Sequence, residues 1–108
     1  MDEAVALTIL SRSADRSLIR VGGEIDHHTV GVLADALTTL SGDVVVDLAA
    51  VEFLGAVGVN VLVVHQRRLH ESGGSLTVRD ASPPARRVLE ICGVLARLEN
   101  QDGAQTFS

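Results

Sequence analysis

Val5, Leu7 and Ile9 alternate with smaller or polar residues, the period-two pattern of a strand buried on one face. Ser11 to Arg16 is polar and turn-like. Leu18-Ile19-Arg20-Val21 reads as a second strand that ends at Gly22-Gly23, so the two form a hairpin. Val30, Val32, Leu33, Ala36, Leu37 and Leu40 then lie on a helical stripe that begins near His28 or Thr29 and stops at Ser41-Gly42. Asp43 to Leu48 is a run of β-branched residues typical of a strand covered on both faces. A strand–helix–strand unit of this length implies a crossover against a sheet.

The next segment carries two signals. Val57 to Val64 alternates and contains five valines, which favours a strand. Gln66-Arg67-Arg68-Leu69-His70-Glu71 follows with good helix formers and no turn between, and Leu62, Gln66 and Leu69 fit helical spacing. A helix from about Ala56 to Glu71, stopped by Gly73-Gly74, is the favoured reading. Ser75 to Arg79 is another strand and Asp80-Ala81-Ser82 a turn. Pro83-Pro84 opens a short helix that points Val88, Leu89 and Ile91 inward and ends at Gly93. Val94-Leu95 and Leu98 make a last short element, and the chain is polar and loose from Asn100. The expected architecture is an α/β domain, a mixed sheet with helices gathered on one face, ordered over about residues 4–99 of a single domain spanning 1–108.

Composition narrows what such a domain does. Aromatic residues make up 2% of the chain, with no Trp and no Tyr, so the core is aliphatic and little is available for stacking on bases or sugars. The formal net charge is -5, and every basic residue is an Arg. The basic pairs Arg67-Arg68 and Arg86-Arg87 read as solvated helix faces. An acidic chain without a basic cluster argues against nucleic acid, where neutralising phosphate dominates affinity. The apolar run Val57–Val64 is too short to span a bilayer, and Met1-Asp2-Glu3 is acidic where a signal peptide would be basic, so a cytoplasmic protein without membrane insertion is expected. The single Cys92 excludes an intramolecular disulfide and reads as a small buried hydrophobe.

Candidate chemistry concentrates at Glu24, Asp26, His27 and His28. Two carboxylates and two imidazoles could hold a metal, but adjacent histidines in an extended segment point to opposite faces, unless a turn brings them together. His65 and His70 are too distant in sequence to complete such a site. The structural alternative is that Asp26 and Thr29 accept hydrogen bonds from the first N–H groups of the following helix, with Glu24 and the His pair at the rim. No nucleophile motif, Walker lysine or dinucleotide fingerprint is present, and Gly55-Ala56-Val57-Gly58 lacks the lysine and hydroxyl of a phosphate loop. These residues suggest a binding domain and not an enzyme, with no metal and no cofactor.

Gly23-Glu24-Ile25-Asp26-His27-His28-Thr29 resembles the entry to the first helix of STAS domains, the sulfate transporter and anti-sigma factor antagonist family. Val44-Val45-Val46-Asp47-Leu48 with Val51-Glu52-Phe53-Leu54 resembles that family's central strand and loop. Gly73-Gly74-Ser75-Leu76, Ser82-Pro83-Pro84-Ala85-Arg86-Arg87-Val88-Leu89 and Cys92-Gly93 follow in the family's order. The resemblance runs from Val5 to about Leu98 and rests on the order of these motifs. It implies a helix after the central loop, and so settles the ambiguous valines.

The resemblance further implies partner switching. An antagonist of this family binds an ATP-binding anti-sigma factor, itself a serine kinase, and frees the sigma factor. Phosphorylation of a serine at the start of the second helix then ends the complex. In this chain Ala56 stands at that serine position, Gly55 replaces the preceding Asp and Val57 the next hydroxyl residue, and no Ser, Thr or Tyr lies between Ser41 and Ser72. The expected contact surface is Asp26, Thr29, Gly55, Ala56, Val57 and Asn60, with Glu24, His27 and His28 at its rim. The alternative is a STAS module with another task, such as nucleotide or ligand sensing or service as a transporter accessory subunit. A weak homodimer is compatible with either.

Overall fold

The computed structural model describes residues 5–99. The elements are β1 (Val5–Arg12), β2 (Arg16–Ile25), α1 (Val30–Thr38), β3 (Asp43–Leu54), α2 (Ala56–Glu71), β4 (Ser75–Arg79), α3 (Pro83–Ile91) and α4 (Leu95–Glu99). They form one four-stranded sheet in the order β1-β2-β3-β4. β1 is antiparallel to β2, while β2, β3 and β4 are parallel. The crossovers through α1 and α2 move the same way along the sheet, so right-handed connections place both helices on one face. The polar segment after Asn100 lies outside the described residues.

Alternation along the strands agrees with a single covered face. Ile19 and Val21 of β2, Val44, Val46 and Leu48 of β3, and Leu76 and Val78 of β4 are buried. They form one aliphatic core with Leu33 and Leu37 of α1, Leu62 and Leu69 of α2, Leu89 of α3 and Leu98 of α4. The expectation that β3 is covered on both faces is corrected. Val45 is only half-buried, and Asp47, 2% exposed, is covered on the other face by arginines of the neighbouring strands. Arg20 and Arg79 are its register partners and reach its Oδ2 at 3.6 and 3.3 Å.

Both central strands run further than their hydrophobic runs. β2 continues past Gly22-Gly23 to Ile25, and β3 continues through the segment read as a loop to Leu54. Register shifts around Gly22 and Gly23 absorb the irregularity, and pairing resumes with Glu24 against Phe53 and Ile25 against Leu54. Gly23 has φ +84°, a conformation cheap only for glycine. A Cβ on Gly22 would lie 2.9 Å from that of Ala50, so the two strands approach where no side chain intervenes.

The valine-rich segment is helix α2, Ala56–Glu71, because packing of Val59, Leu62, Gln66 and Leu69 against the sheet outweighs strand propensity. In α3, Ala85 and Leu89 are buried, but Ile91 is 78% exposed, contrary to the inward placement expected of it. It follows Leu89 by about 200° of helical rotation and so turns away from the core. Cys92, expected to be buried, caps that helix and is exposed. Arg68 departs from a solvated role, as described next.

Candidate functional site

The carboxyl ends of β2 and β3 bring the two singled-out loops together. Gly55, the residue before α2, donates its N–H to the Ile25 carbonyl at 2.8 Å. Gly58 deepens the approach, since a Cβ there would lie 2.7 Å from Leu54 Cδ1 and 2.8 Å from Ile25 Cγ2. Helix α2 therefore starts directly beside the β2–α1 loop. Ala56 is its first residue and is exposed, as are Val57, at 39%, and Asn60 on the next turn. Glycine at the N-cap offers no side-chain acceptor to the first N–H groups of α2.

The β2–α1 loop is organised by Asp26. Its Oδ1 accepts the backbone N–H groups of His28 and Thr29 at 2.9 and 3.1 Å. Thr29 Oγ1 accepts the Asp26 N–H at 3.0 Å and donates to the Glu24 carbonyl at 2.7 Å. The expected helix-capping role is thus half met. Asp26 shapes the turn before α1, while Thr29 occupies the N-cap without a side-chain cap bond and folds back on the loop instead. The His28 N–H, with help from Thr29 and against the cost of partial burial, holds the Asp26 carboxyl below its ordinary value.

Glu24, His27 and His28 are exposed, as expected of rim residues. The segment is a turn, and it places the two imidazole rings 4.0 Å apart, tilted by 39°, instead of on opposite faces. Among the described residues, no group of three or more His, Cys, Asp or Glu side chains is placed to hold a metal.

Three contributors escaped the sequence reading. Phe53, register partner of Glu24, is 49% exposed beside Gly55. Arg68, read as a solvated helix residue, is half-buried and donates Nη2 to the carbonyls of Leu37 and Leu40 at 2.9 and 3.3 Å, tying α2 to the end of α1. Buried Gln66 donates Nε2 to the carbonyls of Leu76 and Arg97, and accepts Arg97 Nε at 3.1 Å, tying α2 to β4 and α4. A lone aromatic at the end of a strand was a legible signal for Phe53. The other two depend on contacts about 30 residues apart, as the Arg68–Leu37 and Gln66–Arg97 separations of 31 show.

The sequence and the fold have counterparts among known proteins. The family model described as "Mlab, STAS domain" matches residues 9–98. An anti-sigma F factor antagonist of Paenibacillus polymyxa is 27% identical over 82 residues, covering 71% of this chain and 70% of that protein. The anti-sigma-F factor antagonist RsfB of Mycobacterium tuberculosis is 37% identical over 60 residues, 52% of this chain and 49% of that protein. The unphosphorylated anti-sigma factor antagonist SpoIIAA superposes with a TM-score of 0.74 at 22% identity, over 87% of this chain and 85% of that one. An anti-sigma factor antagonist from Mycobacterium paratuberculosis gives 0.72 at 30% identity, over 88% and 82%. With the matched family model extending across nearly all of the described residues, the chain belongs to the STAS domain family.

Proposed function

We propose that this chain is an anti-sigma factor antagonist that binds an ATP-binding, serine-kinase-like anti-sigma factor and releases its sigma factor, without being switched off by phosphorylation. The observation that carries this reading is the placement of Ala56. It is the exposed first residue of α2, held against the Asp26 loop through the 2.8 Å bond from Gly55 to Ile25, and the sequence resemblance assigns it to the family's phosphoserine position. Asp26, Thr29, Gly55, Ala56, Val57 and Asn60 form the contact surface, and Glu24, His27 and His28 border it. A phosphoryl group would add about -1.5 to -2 charges to such a contact and break it. A methyl group offers no oxygen to accept one. Relatives named as antagonists support the partner class. The function is binding and not catalysis, and it is exercised in the cytoplasm. No described helix is long and apolar enough to cross a membrane.

The test is release of sigma. Purified chain is added to preformed complexes of the host's ATP-binding anti-sigma factors with their sigma factors, and free sigma is followed by size-exclusion chromatography. Stoichiometric release from one complex supports the reading, and intact complexes throughout contradict it. A second reading, a STAS module with another task such as ligand sensing or transporter accessory work, is favoured by the same missing hydroxyl, which removes the family's switch.

A further inference from the structure

We propose that Phe53 is the anchor of the partner contact and that Glu24 and Glu52 select a partner carrying a basic rim around an apolar pocket. This rests on the antagonist reading and names the partner's surface chemistry. Phe53 is the one Phe, Trp or Tyr among the described residues, and the core is built without it from aliphatic side chains. It stands 49% exposed at the end of β3, while its chain neighbour Leu54 is buried. Its ring borders the start of α2, since a Cβ on Gly55 would lie 3.4 Å from Phe53 Cε2. Aromatic side chains, Phe among them, are enriched at the buried centre of protein contacts, where a few anchors filling partner pockets carry most of the binding energy.

The charges around the ring have one sign. Glu24 is the register partner of Phe53, Glu52 precedes it, and both are exposed. Neither makes an ion pair among the described residues, where Arg20, Arg79 and Arg86 pair with Asp47, Asp80, Glu90 and Glu99. Asp26 is close by, its Cα lying 3.8 Å and the ring's Cε2 3.4 Å from where a Gly55 Cβ would stand, and the loop N–H groups favour its charged carboxylate. A second copy docking here about a two-fold axis would set these carboxylates against their own counterparts, which disfavours self-association through this face. A partner with Arg or Lys around an apolar pocket meets both features, and the carboxylates then speed encounter at low salt.

The experiment measures binding of the purified chain to the purified anti-sigma factors by surface plasmon resonance across ionic strengths, with sedimentation velocity of the chain alone. Phe53→Ala, checked for an unchanged circular dichroism spectrum, is expected to lose at least about 30-fold in affinity. The double variant Glu24→Gln, Glu52→Gln is expected to associate more slowly and with a flatter salt dependence. Wild-type binding that changes less than about threefold in Phe53→Ala overturns the anchor and leaves the antagonist reading standing. An unchanged salt dependence in the double variant overturns the basic rim. A dimer of the chain that Phe53→Ala dissolves overturns the proposal in favour of a second copy. Failure of the wild type to bind any of these factors overturns the antagonist reading, and this proposal with it.

Discussion

Arg68 on α2 donates Nη2 to the Leu37 carbonyl of α1 at 2.9 Å, so a side chain of one helix caps the carboxyl end of its neighbour. The last carbonyls of a helix have no partner within it, and a guanidinium there also meets the negative end of the helix dipole. Arg68→Met keeps the stem and removes the donors. It should lower stability by about 1 kcal/mol, below the usual range for a charged hydrogen bond because the half-exposed group stays partly solvated. Urea unfolding measures this, and an unchanged midpoint would show that water replaces the cap at no cost.

The same arginine sets a pH response. Arg68 Nε donates to His65 Nδ1 at 3.1 Å, a bond that an imidazolium cannot accept. Partial burial, and then the charge of Arg68, hold the His65 imidazole below its ordinary value of 6.5. The unfolded chain therefore takes up this proton first as pH falls. The stability linked to His65 is complete above pH 6.5 and declines as pH drops through that value toward the lower folded one. His65→Gln should lack this component, so the stability difference between wild type and variant should change between about pH 7 and pH 5. A constant difference would contradict the assignment.

Two helical glycines should respond oppositely to alanine. At Gly58 the new methyl would meet Leu54 Cδ1 at 2.7 Å and Ile25 Cγ2 at 2.8 Å, and overpacking of about 1–3 kcal/mol outweighs the gain in helix propensity. At Gly31 of α1 nothing lies within 4 Å, so Gly31→Ala should stabilise by about 0.4–1 kcal/mol. Thermal melting of both variants decides the matter, and a stabilised Gly58→Ala would mean that α2 sits further from β2 than described.

Asp47 is buried on the sheet face opposite the helices. Burial opposes its charge, but the Ala49 N–H at 2.9 Å, Arg79 and Arg20 prevail and hold the carboxyl below its ordinary 3.8. Its contribution is thus complete above pH 3.8 and lost as pH falls through the lower folded value. Asp47→Asn should cost about 1–2 kcal/mol at neutral pH and make the acid limb of unfolding shallower. An unaltered acid limb would assign that limb to other carboxylates, Asp26 among them.

Much of this molecule was legible in its sequence, for reasons that individual residues make plain. The β-branched run Asp43–Leu48 and the stripe Leu62, Gln66, Leu69 are local signals, which is why β3 and the inner face of α2 were found, although the run did not show that only one face of β3 meets the helices. The extension of β2 past Gly22-Gly23 was not, because glycine stops a strand locally yet here permits the close pass of Ala50. Ile91 was misplaced because it lies about 200° of helical rotation from buried Leu89, and Cys92 because it caps the helix, and an apolar run taken as one inward stretch conceals both. At the site, Asp26 and Thr29 were identified from their helix-start chemistry, while the exact bonds they make depend on the turn. Phe53 was seen as part of a motif, but its exposure follows from register, not from composition.

The antagonist proposed for this chain is one that phosphorylation does not turn off. The most direct measurement is the affinity of the chain for its ATP-binding anti-sigma factor before and after incubation of the two with Mg-ATP, with the intact mass of the chain recorded in the same samples. An unchanged mass and an affinity constant within about twofold are expected. A phosphoryl group on the chain together with loss of binding would contradict the proposal.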